Sequence, residues 1–103
     1  MTLAAKVSDI PEGGKKLVEV EGTEVLLVKV RGTIYACENE CPHQGTPLAG
    51  SMVKDPGLLV CPRHGYRFDL ATGECREFPE YTLRTWPVEV RGDEVHVEVT
   101  RET

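Results

Sequence analysis

Cys41-Pro42-His43 and Cys61-Pro62-Arg63-His64 each set one thiolate and one imidazole on a tight turn. Two such turns supply four ligands to a metal site. Structural zinc sites usually pair cysteine with cysteine about two to four residues apart, and histidine with histidine about three to five apart. Here each pair is mixed. A mixed pair per turn suits a centre of two unlike irons, with both thiolates on one iron and both imidazoles on the other. The chemistry of such a centre is the uptake and return of single electrons. Pro42 and Pro62 follow the cysteines directly and stiffen both turns.

The rest of the chain must hold these turns. At 103 residues it is long enough for one domain and a single core, helped by a metal staple. Ten glycines, seven prolines and few aromatics favour short strands and turns over long helices. Leu17–Val20, Val25–Val30 and Thr33–Cys37 read as a three-stranded meander broken at Glu21-Gly22-Thr23 and Arg31-Gly32. Val88–Val90 and Val95–Val99 alternate with period two across Arg91-Gly92-Asp93-Glu94, which predicts a hairpin with one buried face. Residues 38–80 lose that alternation and gather Gly, Pro, Cys and His, as an inserted ligand-bearing subdomain should; residues 1–37 and 81–103 form its base. The short runs Leu58–Val60 and Tyr66–Phe68 read as strands holding the second ligand turn, and Thr82–Arg84 leaves helix and strand open. The expectation is an all-β chain.

Twelve Lys and Arg against 17 Asp and Glu give a formal charge of -5, which argues against nucleic acid or an anionic membrane as partner. The segment Met1–Val7 is too short before its first charge to be the apolar region of a signal peptide, and no run approaches a membrane span. The chain is therefore expected to be soluble and cytoplasmic. In a reducing cytosol, four cysteines of which two sit beside histidines point to metal ligation before disulfides. Cys37 and Cys75 read as small buried side chains, Trp86 as a core or rim residue at the start of a strand, and His96 as facing solvent. Glu38, Glu40, Lys54, Arg63 and Arg67 flank the site as solvated surface charge that would orient a partner by complementarity.

The stretches Cys41-Pro-His43-Gln-Gly-Thr-Pro-Leu and Cys61-Pro-Arg-His64-Gly-Tyr-Arg-Phe-Asp resemble the two cluster-binding loops of Rieske 2Fe-2S ferredoxins, and the likeness extends along nearly the whole chain. The resemblance implies a basal antiparallel β-sandwich with a small rubredoxin-like subdomain. It implies Cys41 and Cys61 on a buried iron, and His43 and His64 on the outer iron that accepts the electron. A neutral imidazole in place of a thiolate opposes that electron less, so the potential lies above that of all-cysteine clusters. Phe78-Pro79 resembles the family's third loop, which covers the cluster.

Two departures separate the chain from the family's high-potential branch. Thr46 and Arg63 stand where that branch has an extra disulfide-forming cysteine in each loop, and Tyr66 and Phe68 stand where it has a serine and a tyrosine donating to the cluster. Fewer hydrogen bonds to sulfur stabilise the reduced cluster less, which places the potential at the low end of the Rieske range, roughly -150 mV. The likeness is to the ferredoxin components of bacterial ring-hydroxylating oxygenase systems. It implies a shuttle, not an enzyme, that carries electrons from a flavoprotein reductase to a terminal oxygenase; a small shuttle that shows its cluster to two successive partners works most simply as a monomer. The Rieske-like small subunit of an NAD(P)H-dependent nitrite reductase is the alternative, and a zinc-stapled interaction module a further one.

Overall fold

The computed structural model describes residues 2–41, 47–54, 57–62 and 65–99. Among them are ten strands and two single 3-10 turns, Val7–Asp9 and Leu48–Gly50. The strands are β1 (Thr2–Lys6), β2 (Lys15–Val20), β3 (Thr23–Val30), β4 (Thr33–Glu38), β5 (Met52–Lys54), β6 (Leu58–Val60), β7 (Arg67–Asp69), β8 (Thr85–Trp86), β9 (Val88–Arg91) and β10 (Glu94–Val97). They form three antiparallel sheets in the orders β1-β10-β9, β2-β3-β4-β8 and β5-β6-β7.

The meander forms because two-residue turns join its strands. Glu21 and Gly22, at φ 51° and 80°, and Arg31 and Gly32, at φ 52° and 76°, turn with positive φ at both positions. That backbone matches the twist of the flanking strands, and glycine adopts it without cost at the second place. Glu12 fastens the second turn, accepting hydrogen bonds from Arg31 N at 2.6 Å and Gly32 N at 2.9 Å.

β3 separates two cores. Its side chains alternate, so Val25 and Leu27 join Ile34, Ala36, Trp86, Val95 and Val97 between the two larger sheets, giving the base its sandwich. Leu26, Val28 and Val30 face the other way, joining Cys37, Leu48, Leu59, Phe68, Leu70 and Leu83. A strand buried on both faces reads as a continuous apolar run, which is why Val25–Val28 carry no polar residue. β4 divides the same way, with Ile34 and Ala36 in the first core and Cys37 in the second.

Several expectations are refined. β1 pairs with β10 and was not legible, since Thr2–Lys6 lacks a clear alternation. β7 begins at Arg67 and β10 ends at Val97. Thr82–Arg84 takes no helical turn; Thr82 bridges to Glu74. His96 lies opposite the buried Val95 and Val97, as alternation requires, but its side chain is 15% exposed and its Nε2 lies 3.3 Å from Glu94 Oε1. The solvent-facing assignment is corrected: the antiparallel neighbours Leu3 and Glu89 flank it on both sides.

Candidate metal centre

Cys41 and Cys61 are buried in the second core, and neither is in a disulfide. His43 and His64 lie outside the described residues, as do Thr46 and Arg63. Among the described residues no three potential ligands are gathered around one point.

Each ligand turn is closed at its base. After β4, Asn39 O accepts from Leu48 N at 3.2 Å and Asn39 Oδ1 accepts from Ala49 N at 2.8 Å. Glu40 bridges to Pro47 beside them. Asn39 is itself buried, so its side chain joins the two ends of the segment that begins with Cys41. This is the local bonding that makes asparagine a turn residue. Between β6 and β7, Gly65 N donates to Cys61 O at 2.9 Å and Cys61 N donates to Tyr66 O at 2.8 Å. Two straps tie this layer to the base. Glu38 N donates to Arg84 O at 2.9 Å while Arg84 N donates to Glu38 Oε2 at 2.6 Å, and the Lys15 ammonium donates to Ser51 O.

A third segment runs from β7 to β8 past the second turn. Cys75 bridges to Phe68 and donates its N–H to Tyr81 O at 3.2 Å, and Tyr81 N donates to Phe78 O at 2.9 Å. The resulting loop sets Phe78 against Tyr66, ring centroids 4.9 Å apart and tilted by 55°, with the Tyr81 ring centroid 6.1 Å from that of Phe78. Phe78 is 39% exposed, whereas Tyr66 and Tyr81 pack on the core that holds Cys41 and Cys61. Phe78 of the Phe78-Pro79 loop thus packs its ring on Tyr66, just after the second turn.

Burial pushes the Cys37 thiol up to about 12, helped by the neighbouring Glu38 carboxylate, so it stays protonated. Glu38 is itself raised by burial against the lowering pull of the Arg84 N–H. It is half-buried and bonded, which corrects its reading as solvated surface. Arg67 is exposed as expected and is paired there with Glu77 at 2.7 Å. Glu40 and Lys54 are exposed as expected. The Tyr66 phenol is raised, chiefly by desolvation and then by Tyr81, Cys75 and Cys41. Asn39 and Glu77 were missed by sequence reasoning. The preference of asparagine for closing turns would have found the first; nothing local marks the second.

These residues fit an iron–sulfur group. Two thiols buried among Leu48, Leu59 and Phe68 are poor places for bare negative charge, and ferric iron supplies the charge that lets thiolates stand there.

The chain matches the family model of the Rieske [2Fe-2S] domain over residues 1–87. It is 34% identical over 98 residues to the ferredoxin component of a naphthalene 1,2-dioxygenase system from Pseudomonas aeruginosa, covering 94% of this chain and 93% of that protein. It is 33% identical over 97 residues to apoptosis-inducing factor 3 of Homo sapiens, of whose length it spans 16%. Among solved structures, a complex of reduced oxygenase and oxidized ferredoxin in carbazole 1,9a-dioxygenase contains a chain that matches with a TM-score of 0.81 and 29% identity, covering 92% of this chain and 89% of that one. Two small subunits ascribed to nitrite reductases match with TM-scores of 0.86 and 0.87 at 22% and 23% identity, a likeness of fold alone.

Proposed function

We propose, from the premise that this chain belongs to the Rieske [2Fe-2S] domain family, that it is the one-electron carrier of an oxygenase system and passes electrons to a terminal oxygenase. It is an electron-transfer protein, not a catalyst, and its cofactor is a 2Fe-2S cluster. The observation that carries the reading is the pair of buried cysteines, Cys41 and Cys61, outside any disulfide and each on a turn closed by backbone hydrogen bonds within one apolar core.

The cluster, when bound, takes up one electron and gives it back. The proposed ligands are Cys41 and Cys61 on the inner iron and His43 and His64 on the outer one. Cys41 and Cys61 are 2% and 1% exposed, so their role is to anchor, and the iron assigned to the histidines is the one proposed to exchange electrons with partners. Asn39 fixes the span of the first turn, and the Cys61–Tyr66 bonds fix the second. Tyr66 and Phe78 exclude water beside the second turn. Residues 38–80 act in this reading as the cluster-bearing subdomain on the base formed by 1–37 and 81–103.

The further parts of the reading are a flavoprotein reductase as donor, a monomeric state, a cytoplasmic location and a potential near the low end of the Rieske range. Among the described residues no helix is long and apolar enough to cross a membrane.

Anaerobic purification followed by iron, zinc and acid-labile sulfide analysis tests the reading. Two irons and two sulfides per chain, reduced by one electron, are expected; zinc without sulfide would establish the stapled interaction module instead. Cys41→Ser, His43→Ala, Cys61→Ser and His64→Ala should each lose the native cluster spectrum. Gel filtration of native extract should give a small red protein, whereas constant co-elution with a large haem or flavin subunit would contradict the shuttle.

A further inference from the structure

We propose that Glu77 is a positioning residue for electron transfer: by gripping Arg67 it holds the Phe78 loop seated on Tyr66 beside the cluster turns, and that seat sets the potential and the lifetime of the centre. The inference rests on the cluster-binding reading above.

The geometry is specific. β7 is the outer strand of the β5-β6-β7 sheet, so one of its edges has no neighbouring strand. Glu77 fills that edge. Its Oε1 accepts from Arg67 N at 2.7 Å, and its Oε2 accepts from Arg67 Nε at 2.8 Å and lies 2.7 Å from the second guanidinium nitrogen. Arg76 N donates to Arg67 O at 2.8 Å. Both main-chain polar groups of Arg67 are thereby held by residues 76 and 77, and the planar fork of its side chain closes on the same carboxylate. Forked pairing of this kind fixes orientation as well as distance. The same bonds hold the Glu77 carboxyl below the usual carboxylate range.

Both ends of this clamp lie next to functional groups. Arg67 follows Tyr66 directly, and Tyr66 O is bonded to Cys61 N. Glu77 precedes Phe78 directly, and Phe78 contacts Tyr66 at 4.9 Å. The clamp therefore closes a short circuit: Cys61, Tyr66, Arg67, Glu77, Phe78, and back to Tyr66. Phe78 is 39% exposed and its burial alone is a weak tether. Without Glu77 the loop would still be held at Cys75, Arg76 and Tyr81, but the ring would lose the grip next to it and leave Tyr66 more often. Water would then reach the cluster side of Tyr66. Hydration favours the more highly charged redox state, which for two thiolates and two neutral imidazoles on this cluster is the reduced one, so the potential should rise.

Three chains are compared: wild type, Glu77→Ala and Glu77→Gln. The glutamine keeps one acceptor for Arg67 N but loses the charged grip; the alanine loses both. Three readouts are taken: peptide-resolved hydrogen exchange over residues 66–82, the rate of cluster bleaching in the presence of a chelator, and the midpoint potential. An exposed pair reinforced by a main-chain bond should shift loop opening by about three- to tenfold. Exchange and bleaching in Glu77→Ala should accelerate by that factor and the potential should move upward, with Glu77→Gln in between. A potential equally raised in both variants with unchanged exchange would reduce Glu77 to a remote charge and overturn the proposal. Faster exchange with unchanged bleaching and potential would overturn it as well, leaving a merely structural pair. If no chain takes up iron and sulfide, the cluster-binding reading itself has failed; the clamp is then decided by exchange alone, and equal rates in wild type and Glu77→Ala refute it.

Discussion

Replacing Gly73 by alanine should damage the chain more than any other single methyl group added to a described glycine. Gly73 has φ +83°, and a Cβ built there would lie 2.0 Å from Leu83 O. That oxygen belongs to main chain and cannot step aside alone. Leu83 N donates to Gly73 O at 2.6 Å, Gly73 N donates to Asp69 O at 2.6 Å, and the Leu83 side chain is 1% exposed in the second core. The left-handed conformation costs an L-residue about 1–2 kcal/mol. Moving the Leu83 segment away loses one or two main-chain hydrogen bonds at about 0.5–1.5 kcal/mol each. The total is about 1.5–5 kcal/mol. Urea slopes for a chain of this size are about 1–2 kcal/mol per molar, so the midpoint should fall by about 1–5 M. The assay is anaerobic urea unfolding of the cluster-loaded protein at a fixed incubation time, followed by Trp86 fluorescence and by cluster absorbance. Two probes are needed because a bound cofactor breaks two-state behaviour. Gly50→Ala is the control, since a Cβ there meets nothing within 4 Å. Absorbance should fail before fluorescence in Gly73→Ala, because the displaced segment runs on to Phe78 whereas Trp86 sits in the other core. A Gly73→Ala midpoint inside the range of Gly50→Ala would refute the steric argument.

Three other outcomes are expected. Ser51 Oγ is buried without a hydrogen-bond partner, so Ser51→Ala should leave thermal stability unchanged or raise it by up to about 1 kcal/mol; the Lys15 bond is to Ser51 O and survives the change. Cys37 titrates near 12 in the fold, against 9.0 without its surroundings. A thiol raised by folding contributes stability that is complete below pH 9.0 and lost as pH climbs toward 12. The stability gap between wild type and Cys37→Ala, measured by urea midpoint, should therefore shrink across that window, by at most about 4 kcal/mol. Iodoacetamide should leave Cys37 unmodified in the native protein at pH 8. Finally, ferric iron acidifies the outer N–H of a ligating imidazole, so the midpoint potential should fall as alkaline pH rises; His64→Cys should lower the potential and weaken that response, and a flat profile in the unmodified protein would contradict histidine ligation.

The meander was legible because apolar alternation and Gly-containing turns coincide, with Glu21-Gly22 and Arg31-Gly32 adopting positive φ. The terminal hairpin was legible for the same reason, through Val95 and Val97. β1 was not, because Thr2–Lys6 gains its conformation by adding to the edge of β10 and tertiary pairing leaves little trace in a short polar-apolar mixture. Cys41 and Cys61, the proposed ligands, stand out in the sequence because metal ligation demands particular residue types at short spacing. The groups that hold those cysteines in place were harder to find. Asn39 and Glu77 act through bonds to main-chain N–H groups of Ala49 and Arg67, and any residue but proline offers that donor, so the partner's identity leaves no mark on the sequence. Glu38 shows the same limit from the other side: a charged residue beside a cluster turn reads as solvated until the Arg84 main chain that bonds it is known. What positions a ligand is thus written in long-range pairs, Glu38 with Arg84 across the base and Glu77 with Arg67 across the third loop. Substitutions at those pairs should change how well the centre is held before they change whether the chain folds.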